Sequence, residues 1–142
     1  MRRLLNSLVL IAGLGFAAPA LAQPLVDSEW LKANLDKPEV VVLDVTGRTQ
    51  AQYQSAHVPG AVFTDYAKDG WRVNVGGVAG KLPPAATLEK LIGSLGIDNS
   101  SHVVLVPLGE RALDMGTATR IYWTFKVAGH DKVSILDGGF AD

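Results

Sequence analysis

Cysteine is absent from all 142 residues of this sequence. That excludes disulfides, thiolate metal sites and any catalysis through a thiol of the chain's own. The hydrophobic core must then hold the fold alone, which ~120 residues can do because domains of that size bury about two thirds of their extended-chain surface. An excess of positive charge is missing as well. Thirteen basic side chains stand against 14 acidic ones, a formal net charge of −1. Arg2 and Arg3 fall within residues 1–22, so residues 23–142 carry 11 basic against 14 acidic side chains, a net −3. A nucleic-acid binder would show a basic stripe, and no run of like charge offers a polyelectrolyte partner, so nucleic acid is not expected. There is no G-x-x-x-x-G-K-[ST] phosphate loop and no G-x-S-x-G elbow. His57, His102 and His130 lie far apart without H-x-x-x-H spacing, so neither a metal site nor a cofactor is expected. At 48% hydrophobic and 19% charged, what is present has the composition of an ordinary globular domain.

The amino terminus reads as a leader. Met1-Arg2-Arg3 is basic, residues 4–18 are apolar apart from Asn6 and Ser7, Pro19 breaks the run, and Ala20-Leu21-Ala22 has the small-x-small pattern of a signal-peptidase site. The competing reading is a retained anchor, since no charge appears between Leu4 and Gln23, although Gly13, Gly15 and Pro19 weaken a spanning helix. The expected organisation is a signal peptide over residues 1–22 and one domain over residues 23–142. The mature chain would start at Gln23, periplasmic or secreted, with no membrane association after cleavage.

Along that domain, strands alternate with helices. Asp27 and Ser28 are good N-cap residues for a helix ending near Leu35, with Glu29 in its first turn. Val40-Val41-Val42-Leu43 and Val103-Val104-Leu105-Val106 are continuous apolar runs of the kind buried on both faces of a sheet. Ala61-Val62-Phe63 and Val133-Ser134-Ile135-Leu136 are further strand candidates. Residues 49–55 suggest a short helix, and Leu88, Leu91, Ile92 and Leu95 repeat at helical spacing after Pro83-Pro84, with Gly96 as the stop. Residues 66–82 read as a long surface loop anchored by Trp71, and residues 107–116 as a second loop. A last helix is expected over residues 117–128, ended by Gly129. This pattern predicts an α/β fold, an open parallel sheet with helices on both faces. After Gly138 and Gly139 it calls for another helix, so the domain is expected to be truncated at its carboxyl end.

In open α/β sheets ligands bind beyond the carboxyl ends of the strands. Two loops qualify, residues 44–48 and residues 107–117. The second precedes a helix whose unpaired N–H groups could hold a small anion, so Glu110, Arg111, Asp114, Gly116 and Thr117 form a candidate anion or interface loop. The plainer reading makes Arg111 a solvated loop residue and Asp114 a cap for the following helix. Residues 103–116 contain no Cys, Ser, Thr or Lys to act as a nucleophile. His57, ahead of Val58-Pro59-Gly60, is expected to hydrogen-bond the turn it sits on, and His102 and His130 to be exposed.

Two separated motifs resemble those of rhodanese domains. Leu43-Asp44-Val45, Tyr53 and His57-Val58-Pro59-Gly60-Ala61-Val62-Phe63 are similar to the first signature of that family. Arg120-Ile121-Tyr122-Trp123, Gly129-His130 and Val133-Ser134-Ile135-Leu136-Asp137-Gly138-Gly139-Phe140 are similar to the second. Their order and spacing hold over most of residues 24–140. The resemblance is strongest to the amino-terminal half of tandem thiosulfate and 3-mercaptopyruvate sulfurtransferases, in which the first domain lacks the cysteine of the second. It implies structural roles for Asp44, Arg48, His57, Pro59, Gly60, Arg120, Gly138 and Gly139. It also implies that Pro107, Leu108 and Gly109 cover the position where an active domain holds its persulfide-forming cysteine, in a loop longer than in active domains. Arg120, at the start of the last helix, would pair with a local carboxylate or carbonyl.

Two functions follow as expectations. The chain would be an exported rhodanese-like domain, inactive alone, that supports a cysteine-bearing second rhodanese domain. The alternative is a complete non-catalytic module binding an anion or a protein through residues 107–117. A phosphatase of related fold needs a Cys-x-x-x-x-x-Arg loop, which the absence of cysteine rules out.

Overall fold

A computed structural model describes residues 22–142. The elements run β1 (Leu25–Val26), α1 (Ser28–Asn34), β2 (Val40–Asp44), α2 (Gln50–Ser55), β3 (Val62–Phe63), β4 (Val73–Val75), β5 (Val78–Lys81), α3 (Ala85–Ser94), β6 (His102–Val106), α4 (Ala112–Val127) and β7 (Val133–Leu136). A 3-10 turn, Gly139–Ala141, closes the chain. Residues 1–21 of the proposed leader lie outside the described residues. No helix among those described is long and apolar enough to cross a membrane.

Five strands form one parallel sheet in the order β1-β7-β6-β2-β3. The apolar runs seen in the sequence become its centre, and side-chain alternation splits each between two cores. Leu43, Val103, Leu105, Val133 and Ile135 join Ile121 and Phe125 of α4, with Leu91 and Ile92 of α3 packed alongside. On the other face Val42, Val104, Val106 and Leu136 join Leu31 of α1 and Tyr53 of α2. Helices thus cover both faces of the sheet, as the alternating pattern predicted.

Local chemistry places the helix ends. Asp27 accepts the Trp30 N–H at 2.7 Å and starts α1. Thr49 and Gln52 cap α2 reciprocally, at 2.9 and 3.3 Å.

Two expectations need correction, and one strand is new. Residues 66–82 are not loop throughout, because β4 and β5 pair as an antiparallel hairpin across Gly76 and Gly77. Trp71 does anchor the segment, fully buried, with its indole N–H donating to the Thr64 hydroxyl at 2.8 Å. The last helix begins at Ala112 rather than Thr117, so the preceding loop is residues 107–111. β1, a two-residue edge strand paired with Ile135 and Leu136, was not expected.

Candidate functional site

Three loops meet beyond the carboxyl ends of β2, β6 and β7. The first holds Asp44, the buried last residue of β2. Its Oδ1 accepts the Thr46 N–H at 3.1 Å and the Thr46 hydroxyl at 2.6 Å, and its Oδ2 pairs with Arg48 Nη2 at 3.2 Å. The Arg48 guanidinium lies 3.9 Å from the centre of the Phe140 ring, a cation–π contact. Asp44 and Arg48 are therefore engaged in tying the turn after β2 to the carboxyl-terminal turn.

The second loop, residues 107–111, holds the position implied for a nucleophile. Pro107 is buried, and its carbonyl accepts the Phe140 N–H at 2.8 Å, while the Leu108 carbonyl accepts the Ala141 N–H at 3.0 Å. Gly109 sits at φ +89°, and a Cβ there would lie 1.9 Å from the Gly138 carbonyl oxygen. Gly139, at φ +72°, would place a Cβ 2.6 Å from the Pro107 carbonyl oxygen. Two backbones cross here with no room for a side chain, which explains why glycine stands at Gly109 and Gly139.

Asp114 decides what this loop can hold. It lies in the first turn of α4, and its Oδ2 accepts the N–H groups of Glu110 at 3.2 Å and Arg111 at 2.9 Å. The helix terminus that was a candidate anion site thus already has an anion, from its own third residue. Arg111 approaches Asp114 at 3.5 Å with its side chain 71% exposed, so it is solvated, and the plainer reading of both residues holds. Gly116 and Thr117 lie within α4 rather than at its start. Asp114→Ala should cost roughly 1–2 kcal/mol, because two amides lose their acceptor. Urea unfolding would register it, and an unchanged midpoint would show that the cap is idle.

The histidines are dispersed. His57 donates its Nδ1–H to the Tyr53 carbonyl, 2.7 Å away, and stacks on the Tyr53 ring at 4.2 Å. It therefore braces the last turn of α2 rather than the turn through Pro59 and Gly60. His102 and His130 are half-buried, not exposed. His102 Nε2 meets the Ser134 hydroxyl at 2.9 Å, and that hydroxyl donates to the Gln23 carbonyl at 2.5 Å. Burial, foremost, and then the charges of His130 and Lys132 hold the His102 pKa below its usual value. A cleft of about 390 Å³ beside it is lined by Trp30, Glu39 and Lys132, at the opposite end of the sheet from the loop 107–111. Arg120 is exposed midway along α4, not at a helix start. What is engaged there is its carbonyl, which accepts from Arg72 Nη2 at 3.0 Å and from the Thr124 hydroxyl at 2.8 Å. The roles of Thr46 and Arg72 were not visible in the sequence. Thr46 could have been found, two residues after an Asp at a strand end. Arg72 could not, since its partners lie 48 and 52 residues away.

A parallel sheet in this order, with a closed loop after β6, defines the class of fold. The family model for the rhodanese-like domain matches residues 27–142, and the chain belongs to that family. It is 34% identical over 135 residues to the mitochondrial thiosulfate/3-mercaptopyruvate sulfurtransferase 1 of Arabidopsis thaliana, covering 90% of this chain and 34% of that protein. It is 36% identical over 132 residues to the thiosulfate sulfurtransferase of Rattus norvegicus, covering 84% of this chain and 42% of the relative. Among solved structures it is similar to SseA from Escherichia coli, a 3-mercaptopyruvate sulfotransferase, with a TM-score of 0.67 and 27% identity, covering 84% of this chain and 48% of that one. The chain therefore spans less than half the length of each of these relatives.

Proposed function

We propose that this chain is the non-catalytic half of an exported sulfurtransferase, and that it supports a second rhodanese domain bearing the cysteine. One observation carries the reading: the loop after β6 has no thiol and is closed by its own residues. Pro107 and Leu108 are bonded to the carboxyl-terminal turn, Gly109 has no room for a side chain, and Asp114 occupies the amides of Glu110 and Arg111. The lengths of the relatives support a further domain, and the pattern of residues 1–22 supports export to the periplasm or beyond.

In the second domain, a thiolate would take the outer sulfur of thiosulfate, or the sulfur of 3-mercaptopyruvate, to form a persulfide, releasing sulfite or pyruvate. It would then pass that sulfur to an acceptor such as cyanide and return as thiolate. A thiolate held among backbone amides at a helix start is stabilised for this work. In the present chain, the equivalent amides serve a carboxylate, which has no sulfur chemistry of this kind. An anion-binding module is disfavoured for the same reason, since an incoming anion would have to displace Asp114.

Residues 23–142 mixed with thiosulfate and cyanide should form thiocyanate no faster than the protein-free mixture. A turnover that scales with protein concentration would sink the proposal.

A further inference from the structure

Six large apolar side chains stand exposed among the described residues, and five belong to α4 or to the β4–β5 hairpin. They are Leu113, 79% exposed, Trp123, 52%, and Val127, 56%, on the helix, and Val75 and Val78, both 53%, on the hairpin. At about 100° per residue, positions 113, 116, 120, 123 and 127 form one stripe of α4. The buried Ala118, Ile121 and Phe125 form the opposite one. Arg72, just before β4, bonds the Arg120 carbonyl and the Thr124 hydroxyl, which ties the start of the hairpin to α4. An apolar stripe facing away from a helix's own core marks a contact surface.

Two further residues describe what would cover it. Gly116 weakens the helix, yet a Cβ there would meet nothing within 4 Å, and its backbone is not left-handed. Nothing within the domain calls for glycine at this place. A partner that must approach closely does. Arg120, in the middle of the stripe, is exposed and has no carboxylate within 4.0 Å among the described residues. Arg72 lies beside it, so the centre of the surface is cationic. Two copies of α4 packed antiparallel about that centre would set Arg120 against Arg120, with both Arg72 residues close by. Charge therefore argues against a second copy and for an acidic partner.

We propose that the outward stripe of α4 docks a helix from outside this chain. That helix has an apolar ridge that fits over Leu113, Gly116, Trp123 and Val127, and a carboxylate that pairs with Arg120. On the reading above, on which this step rests, it belongs to the cysteine-bearing second domain. The test uses two designed helical peptides of about 20 residues with the same apolar ridge, one with glutamate at its centre and the other with lysine. Trp123 reports binding through its emission, since Trp71 is buried and Trp30 lies on the other face of the sheet. The glutamate peptide should bind residues 23–142 roughly ten-fold more tightly than the lysine peptide, and Arg120→Glu should reverse that preference. Binding of neither peptide, or of both equally, overturns the proposal. So does a dimer in sedimentation that Trp123→Lys dissolves, because the occupant would then be a second copy. Thiocyanate formation by residues 23–142 would remove the second-domain reading and leave the peptide result standing.

Discussion

Gly109→Ala is expected to cost roughly 3 kcal/mol of folding stability, against about 1 kcal/mol for Gly96→Ala. Both glycines have left-handed backbones, at φ +89° and +77°, so both substitutions carry the same conformational penalty. They differ in surroundings. A Cβ at Gly96 meets nothing within 4 Å, whereas one at Gly109 lies 1.9 Å from the Gly138 carbonyl oxygen. That contact is backbone on both sides, so no side chain can swing away. Relief requires the carboxyl-terminal turn to move, and with it the bonds from Phe140 and Ala141 to the carbonyls of Pro107 and Leu108. Urea unfolding followed by tryptophan fluorescence compares the two variants directly, and equal midpoints would show that the crossing yields without strain. The same steric limit applies to a cysteine placed at Gly109, so a thiol at that position would disrupt the loop meant to hold it.

The second large effect is expected at Asp44. Asp44→Ala should lower stability by about 3 kcal/mol, because it breaks a buried ion pair and leaves one charge without its partner. The Asp44 side chain is 2% exposed and that of Arg48 is 13% exposed, so solvent screens the pair poorly. Asp44 also receives both the N–H and the hydroxyl of Thr46. Arg48→Met should be destabilising in its turn, although the methionine stem can still lie against Phe140. The double variant should lose clearly less than the sum of the two, since removing the second partner relieves the charge that the first left unpaired. Strict additivity in urea unfolding would show that the two side chains act independently and that the turn after β2 is held by other contacts.

Much of the fold was legible because the informative signals are local. The β-branched runs ending in Asp44 and Val106 are of the kind buried on both faces of a sheet. Asp27 announced the start of α1 through a bond spanning three residues, and Thr49 caps α2 in the same way. The hairpin was legible in principle, since Gly76-Gly77 between Val73, Val75 and Val78 is a two-residue turn signal, but the glycine content of residues 66–82 masked it. The start of α4 was harder. Its N-cap position is Arg111, a poor capping residue, and the capping acceptor comes instead from Asp114, inside the helix. Apolar spacing becomes visible only from Ala118, so the first turn read as loop.

The sequence by itself determined the alternation of strands and helices, the family resemblance and the absence of any thiol. Those follow from residue identity and from spacings of a few positions. Only the tertiary structure decided what the loop after β6 does without a cysteine. Asp114 fills its amides, and Gly138 and Gly139, some thirty residues away, cross it at backbone contact distance. The outward direction of Leu113, Trp123 and Val127 became visible only once the opposite face of α4 was seen packed on the sheet. Sequence specifies which groups can bond. Which of them meet across long separations depends on how the sheet brings its loops together.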